Sequence, residues 1–345
     1  AMKASPMTSD GIELPVTSGS SDAVQRGPSA ARPFSQRHSV VAIDGGDVKQ
    51  AIVASQSALQ NGATSLLFWL HREEDLTALT QGIRLDIAPV HLVGNMDSMA
   101  VKLAMGKHPN YQAWHGGFIM DPAENRQRTN QWFTLSLQGD MDRLTQACDI
   151  LPPGLRCITS NGNSQSKQGH VAQIAFAVAS LEAQLQHVGW QQANRCMMIL
   201  QASDDYLGSI AMVQAARELW QSMLIKHQQG HASLWVAGFT ADRDASDDAA
   251  NLIDNGLNLQ ALWLGGCDEL LNQPINPSPE AGHWALEQQL VLAHETDLND
   301  DEPLRGSYTL DAWTTQMVDL ATEHLNRWRQ AGGLMHLLDK DSSIW

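Results

Sequence analysis

Six polar side chains stand where short apolar runs end: Asp44, Asn95, Asp121, Asn161, Asp204 and Thr240. Two facing carboxylates could divide acid and base work, one protonated and one ionised. Asp44 and Asp121 close the first and fourth runs, so in a ring of eight they stand roughly opposite each other. That separation suits neither a glycosidase pair nor a dyad with split pKa values. Asp and Asn also favour strand-to-loop turns, where they bond to nearby backbone, and this is the expected role of most of the six. Gly265-Gly266, after the eighth run, could cradle a phosphate or simply make a tight turn. The sequence holds no P-loop, no G-x-G-x-x-G and no G-x-S-x-G, so the usual nucleotide and nucleophile signatures are missing.

The other chemistry-bearing residues are scattered. Cys148, Cys157, Cys196 and Cys267 show no C-x-x-C spacing, and two of them open apolar runs. They read as buried free thiols in a reducing compartment. His227 and His231 are four apart, but Gly230 between them marks a helix end rather than a ligand pair, and no metal is expected.

The elements that must position these residues follow from the runs themselves. They are Ser39–Asp44, Ser65–Leu70, Val90–Gly94, Gly117–Asp121, Cys157–Asn161, Cys196–Gln201, Ser233–Gly238 and Ala261–Gly265. Each is short, apolar and without strict alternation, as parallel strands buried on both faces are. Eight such units with helices between them predict an α/β fold, a (β/α)8 TIM barrel, whose active site would lie at the C-terminal strand ends. Asp47–Gln60 reads as the first helix, closed by Gly62. Asp97–Met105 and Met141–Ile150 are shorter, while Val171–Val188 and Ile210–His227 carry the strongest helical periodicity. Ser246-Asp247-Asp248 opens a helix ending near Gly256, and His283–His294 and Leu310–Ala331 follow the eighth strand.

Residues 1–36 are rich in Ser, Ala, Pro and Gly and read as an extended arm, either a free tail or a strap across a partner subunit. The barrel is expected over 37–338, with a short tail at 339–345. The 345 residues are 43% apolar, enough for a large core, and carry a formal charge of −16. That balance argues against nucleic acid or an anionic membrane as partner. No apolar stretch approaches the ~20 residues that cross a bilayer, and the first residues carry no signal core, so a cytosolic protein is expected.

Read as text, the C-terminal half resembles the barrel domain of methylmalonyl-CoA mutases. The likeness is densest at Val171–Ala177, at the helix Ile210–Trp220 (I-A-M-V-Q-A-A-R-E-L-W), at Asp268–Pro274 (D-E-L-L-N-Q-P) and at Glu302–Tyr308 (E-P-L-R-G-S-Y). Order and spacing agree over about 155–338, and Ala63–Leu67 extends the likeness more weakly.

The resemblance implies a barrel that threads the pantetheine arm of coenzyme A along its axis. It also implies adenosylcobalamin presented at the mouth by a separate domain, and a Tyr-His pair at the end of strand five. Here those two positions are Asn161 and Gly162, so no catalytic residue is expected. The helix motif's basic residues are Met212 and Gln214, and the D-x-H-x-x-G cobalamin signature is absent. The strands carry Phe68, Trp69, Phe118, Met120, Met197, Met198, Trp235 and Trp263, roughly half of which should point inward and plug the axis. The chain thus looks like the non-catalytic small subunit of a heterodimeric mutase, binding no cofactor itself and partnering a catalytic large subunit that holds adenosylcobalamin. Two alternatives stay open. One is an active enzyme using Asp44, Asn95, Asp121 and Asn161 on an acyl-CoA in some other chemistry. The other is a stand-alone homodimeric binding barrel.

Overall fold

The computed structural model describes residues 10–12, 36–71, 76–80, 82–241, 247–296, 304 and 306–340. Nine parallel strands form one sheet: β1 His38–Asp44, β2 Ser65–Trp69, β3 Val90–Val93, β4 Gly116–Ile119, β5 Leu155–Arg156, β6 Ile158–Asn161, β7 Cys196–Gln201, β8 Trp235–Phe239 and β9 Glu269–Leu271. Their order is β5-β4-β3-β2-β1-β9-β8-β7-β6. Only Cys157 separates β5, which pairs with β4, from β6, which pairs with β7. The two pieces are therefore one stave, and the eight-membered TIM barrel closes through it.

The eighth stave is not where its apolar composition predicts it. Ala261–Gly265 is the last turn of α8, Asp248–Gly265, which runs straight through Gly256. Leu259, Leu262 and Trp263 recur at helical spacing and are buried on one face, so the apolar run belongs to a helix. The actual stave, Glu269–Leu271, was masked by its charged residue. Gly266, in the left-handed region at φ 103°, caps α8 ahead of that stave. Gly265-Gly266 consequently lies at the opposite end of the barrel from the mouth, and a mouth phosphate site there is ruled out.

The remaining helices include three that the sequence reading does not name, Leu76–Thr80, Pro122–Thr129 and Leu334–Asp339. In chain order the helices other than α8 are α1 Val48–Gln60, α2 Leu76–Thr80, α3 Ser98–Met105, α4 Pro122–Thr129, α5 Leu137–Ile150, α6 His170–Val188, α7 Tyr206–Lys226, α9 Pro279–His294, α10 Tyr308–Gln330 and α11 Leu334–Asp339. Ala51, Ser55 and Ala58 of α1 face the staves at helical spacing, and Gly62 at φ 101° ends the helix where an L side chain would be strained. Carboxylates at the strand exits cap many of these helices. Asp47, Asp97, Asp121, Asp205 and Asp247 each accept an N–H from the first turn that follows, satisfying donors that the helix cannot.

Outside the ring, α10 packs over both α6 and α7, and α11 over α4 and α6. This outer layer is why α6 is buried on almost every face. Gly169, at the α6 N-cap, has no side chain to cap with, and Asp10 does the work from the N-terminal arm by accepting the Val171 N–H at 3.2 Å. Ile12 beside it is 2% exposed in the outer core of its own chain. Most of the arm lies outside the described residues, as do Glu302-Pro303 and Arg305 of the fourth matching segment and the tail from 341.

Candidate functional site

The barrel interior is filled by side chains. Val40, Leu67, Ile119, Met197, Ile199, Trp235, Ala237, Phe239 and Leu271 form a single inner cluster, separate from the core between staves and helices. Of the bulky strand residues, Met197 and Trp235 point inward. Phe68, Phe118, Met198 and Trp263 belong to the outer core, and Trp69 is half exposed. Medium-sized residues complete the plug.

Toward the N-terminal strand ends, here called the base, the interior becomes charged. His91 Nε2 lies 3.0 Å from Glu269 Oε2 and 3.1 Å from Ser65 Oγ. The Arg156 guanidinium sits 4.0 Å over the Trp235 ring, against which His38 also stacks. Burial pushes Glu269 up, but His91, with His38 and Trp235, outweighs it and holds the carboxyl below its ordinary value. Gly117 leaves no slack. A Cβ there would stand 2.9 Å from both His91 Nδ1 and Met197 Sδ.

At the mouth the sequence candidates are dispersed. Asp44 is exposed, accepting the Gly46 N–H at 2.8 Å and pairing with His71 Nε2 at 2.8 Å. The Gly46 bond first, then His71, holds its carboxyl below the usual range. Asn95 is exposed and bonded to Arg143 at 2.9 Å. Asp204 is exposed, while Thr240 is buried and accepts the Gln273 N–H at 2.8 Å. Asp44 and Asp121 each have their own partners, and no hydrogen bond joins them.

Asp121 and Asn161 are brought together. Asp121 is buried and accepts the Ala123 N–H, the Asn161 N–H and the Ser180 hydroxyl, each at 2.9 Å. Burial still dominates and raises its pKa to about 6. Asn161 turns its own oxygen onto the Asn163 N–H at 3.2 Å. Gly162 is pressed against backbone, since a Cβ would lie 2.8 Å from the Gln173 carbonyl oxygen and 3.2 Å from that of Ile199. Position 162 therefore has no room for a β-carbon, still less an imidazole. Met212 is buried in the outer core, and Gln214 accepts the Thr314 hydroxyl of α10. Nine side chains thus meet along the axis, and a side chain at position 162 would begin against a backbone carbonyl oxygen.

The thiols offer nothing reactive. All four cysteines are free and buried, and burial pushes Cys148 up to about 11 and Cys157 and Cys267 up to about 12. Among the described residues no His, Cys, Asp and Glu group could hold a metal ion, and no helix is long and apolar enough to cross a membrane. His227 stacks on Trp190 with centroids 3.6 Å apart.

One constellation escapes sequence reasoning altogether. His170, the first residue of α6, lies between Asp10 Oδ2, 3.2 Å from its Nδ1, and Ser203 Oγ, 2.8 Å from its Nε2. Asp10 stands in a polar arm 160 positions away, and no spacing announces its arrival.

The motifs that carry the family likeness meet elsewhere. Arg217 of the α7 motif donates to the Gly266 carbonyl and, at 2.7 Å, to Asp268, the first residue of the D-E-L-L turn. Asp268 also accepts the Val236 N–H at 2.7 Å.

Solved structures with a distant likeness include dihydropteroate synthase from Yersinia pestis (12% identity, 74% of this chain, 94% of that chain, TM-score 0.40). Others are dihydropteroate synthase from Xanthomonas albilineans (11%, 76% and 95%, TM-score 0.43) and a dipeptide epimerase from Methylococcus capsulatus (16%, 71% and 57%, TM-score 0.35). They are too distant to bear on activity. No curated protein matches the chain. Residues 70–343, from the exit of β2 onward, match the family described as methylmalonyl-CoA mutase, and the chain belongs to that family.

Proposed function

We propose that this chain is a barrel of the mutase family that is silent in the mutase reaction, the small subunit that packs against and stabilises a catalytic large subunit. That partner interconverts methylmalonyl-CoA and succinyl-CoA, and any adenosylcobalamin belongs to it. The complex works in the cytosol. The observation that carries this reading is position 162, where a Cβ would stand 2.8 Å from a backbone carbonyl oxygen. On the correspondence that the resemblance implies, the family's imidazole would have no space there. The filled axis supports the same conclusion, since pantetheine needs a channel lined by small side chains. Binding to a folded partner stabilises it by mass action, which gives a silent barrel work to do.

Co-expression with a catalytic mutase large subunit, followed by size-exclusion chromatography, tests the reading. A stable heterodimer, with no acyl-CoA binding by the isolated chain in calorimetry, is the expected result. Persistent failure to form a complex, or micromolar binding of coenzyme A esters to the isolated chain, would overturn it.

A further inference from the structure

We infer that Asp10, His170 and Ser203 form an acyl-transfer site, with Ser203 as nucleophile toward carboxylic esters or thioesters. This rests on the geometry of the three residues alone and not on the subunit reading, since it asks nothing of the barrel axis or of positions 161 and 162.

A hydroxyl becomes a nucleophile when a positioned base accepts its proton and a third group fixes that base. Ser203 Oγ lies 2.8 Å from His170 Nε2, and Asp10 Oδ2 lies 3.2 Å from Nδ1. The hydrogen bonds also select the tautomer. Asp10, as a carboxylate, can only accept, so Nδ1 carries the proton and Nε2 presents its lone pair to Ser203. Ser203 Oγ meanwhile accepts the Asp205 N–H at 3.1 Å, which leaves the hydroxyl hydrogen free to point at Nε2.

The parts are held rigidly. His170 is 1% exposed and lies under Gly208, where an added Cβ would come within 2.7 Å of its Cε1. Asp10 is 2% exposed at its side chain, and its second oxygen holds the Val171 N–H. Ser203, by contrast, is only partly buried and follows β7 at the mouth, the end where barrel enzymes do chemistry. Helix capping accounts for the bond between Asp10 and Val171. It does not account for a buried imidazole aligned between a carboxylate and a hydroxyl.

In the reaction Ser203 Oγ adds to the acyl carbonyl carbon as its proton passes to His170 Nε2. The bond from that carbon to the leaving oxygen or sulfur then breaks, and the leaving group takes the proton from Nε2. Water, deprotonated by the same nitrogen, cleaves the acyl-serine ester. The products are a carboxylic acid and an alcohol or thiol, with the enzyme restored.

The test uses the whole chain with a fluorophosphonate probe, and separately with p-nitrophenyl acetate and the simple thioester S-phenyl thioacetate. A single phosphonyl adduct mapped to Ser203 is expected, together with turnover of the oxygen ester, the thioester or both. Ser203→Ala should abolish labelling and lower turnover by about 100-fold. Asp10→Asn keeps an oxygen for the Val171 N–H but removes the charge, and should slow labelling about tenfold, with partial rescue by Asp10→Glu. The wild-type adduct needs no variant to fold. No adduct on the folded wild-type chain, an adduct at another residue, or turnover unchanged by Ser203→Ala would overturn the proposal. So would Asp10→Asn lowering the melting temperature while labelling of Ser203 goes on at the wild-type rate.

Discussion

The two ends of this barrel handle charge in opposite ways. At the base Arg217 and Asp268 are both buried and paired at 2.7 Å, and Glu269 is buried beside His91. At the mouth Asp44 and Asn95 are exposed, and Asp121 is buried and held by two backbone N–H groups and the Ser180 hydroxyl. The matched family segments Ile210–Trp220 and Asp268–Pro274 contribute the base pair. The mouth holds Asn161 and Gly162, the positions that the resemblance, on the reading proposed above, sets against the family's catalytic pair. Two of the matched segments thus meet in the pair that holds the base of the barrel together.

The largest effect should come from breaking the base. Asp268→Ala strands the Arg217 guanidinium in the interior and removes the acceptor of the Val236 N–H. Breaking one side of a buried pair costs about 3–5 kcal/mol. Urea denaturation should show a loss of that size, and an effect under 1 kcal/mol would mean that the base is not the keystone.

The next test sets the two buried carboxylates against each other. Asp121 has its folded-state pKa raised from 3.8 to about 6. The folded state therefore binds its proton more tightly than the unfolded chain does, so its contribution to stability falls as pH rises through that window. By linkage the change is on the order of 3 kcal/mol. Glu269 is held below its ordinary value, so its contribution is present above the unfolded pKa and is lost as pH falls through the folded one. Melting temperatures from pH 3 to 7 should show a flatter decline between about pH 4 and 6 for Asp121→Asn than for wild type. Glu269→Gln should instead flatten the acid limb. Parallel profiles for all three proteins would remove the electrostatic contrast between the ends.

A third measurement addresses the closed backbone at the mouth. Gly162→Ala forces a Cβ to 2.8 Å from the Gln173 carbonyl oxygen, and such overpacking costs about 1–3 kcal/mol. Asn161→Tyr combined with Gly162→His, which restores the family pair in name, should destabilise further and confer no acyl-CoA binding. If the double variant binds an acyl-CoA in calorimetry, the mouth is more adaptable than its packing indicates.

Much of this contrast was legible before any coordinates. Seven of the eight staves follow from short apolar runs, because staves buried on both faces need such residues. The eighth was lost because Glu269 occupies the middle of the barrel base, where a charge is tolerated only through a partner, His91, nearly 180 positions away in sequence. The run at Ala261–Gly265 took its place because the end of a buried helix is as apolar as a strand. Site residues were legible only where they close a strand, as Asp121 does. Position 162 could be read as a glycine but not as a place walled in by two carbonyls. The Asp10–His170–Ser203 series could not be read at all, since three separate segments meet there.

The smallest expected effect marks the far end of the comparison. Asp44 and His71 pair at 2.8 Å with side chains 78% and 61% exposed, so solvent and salt screen the attraction. Asp44→Ala should change stability by no more than a few tenths of a kcal/mol, and less at high ionic strength. It also stands apart from Ser203, His170 and Asp10, none of which is among its partners, so serine acylation should proceed unchanged. A loss above 1 kcal/mol would assign the mouth a structural weight that its exposure denies. Slower acylation with unchanged stability would instead make Asp44 a substrate contact, the one role that its place at the exit of β1 leaves open.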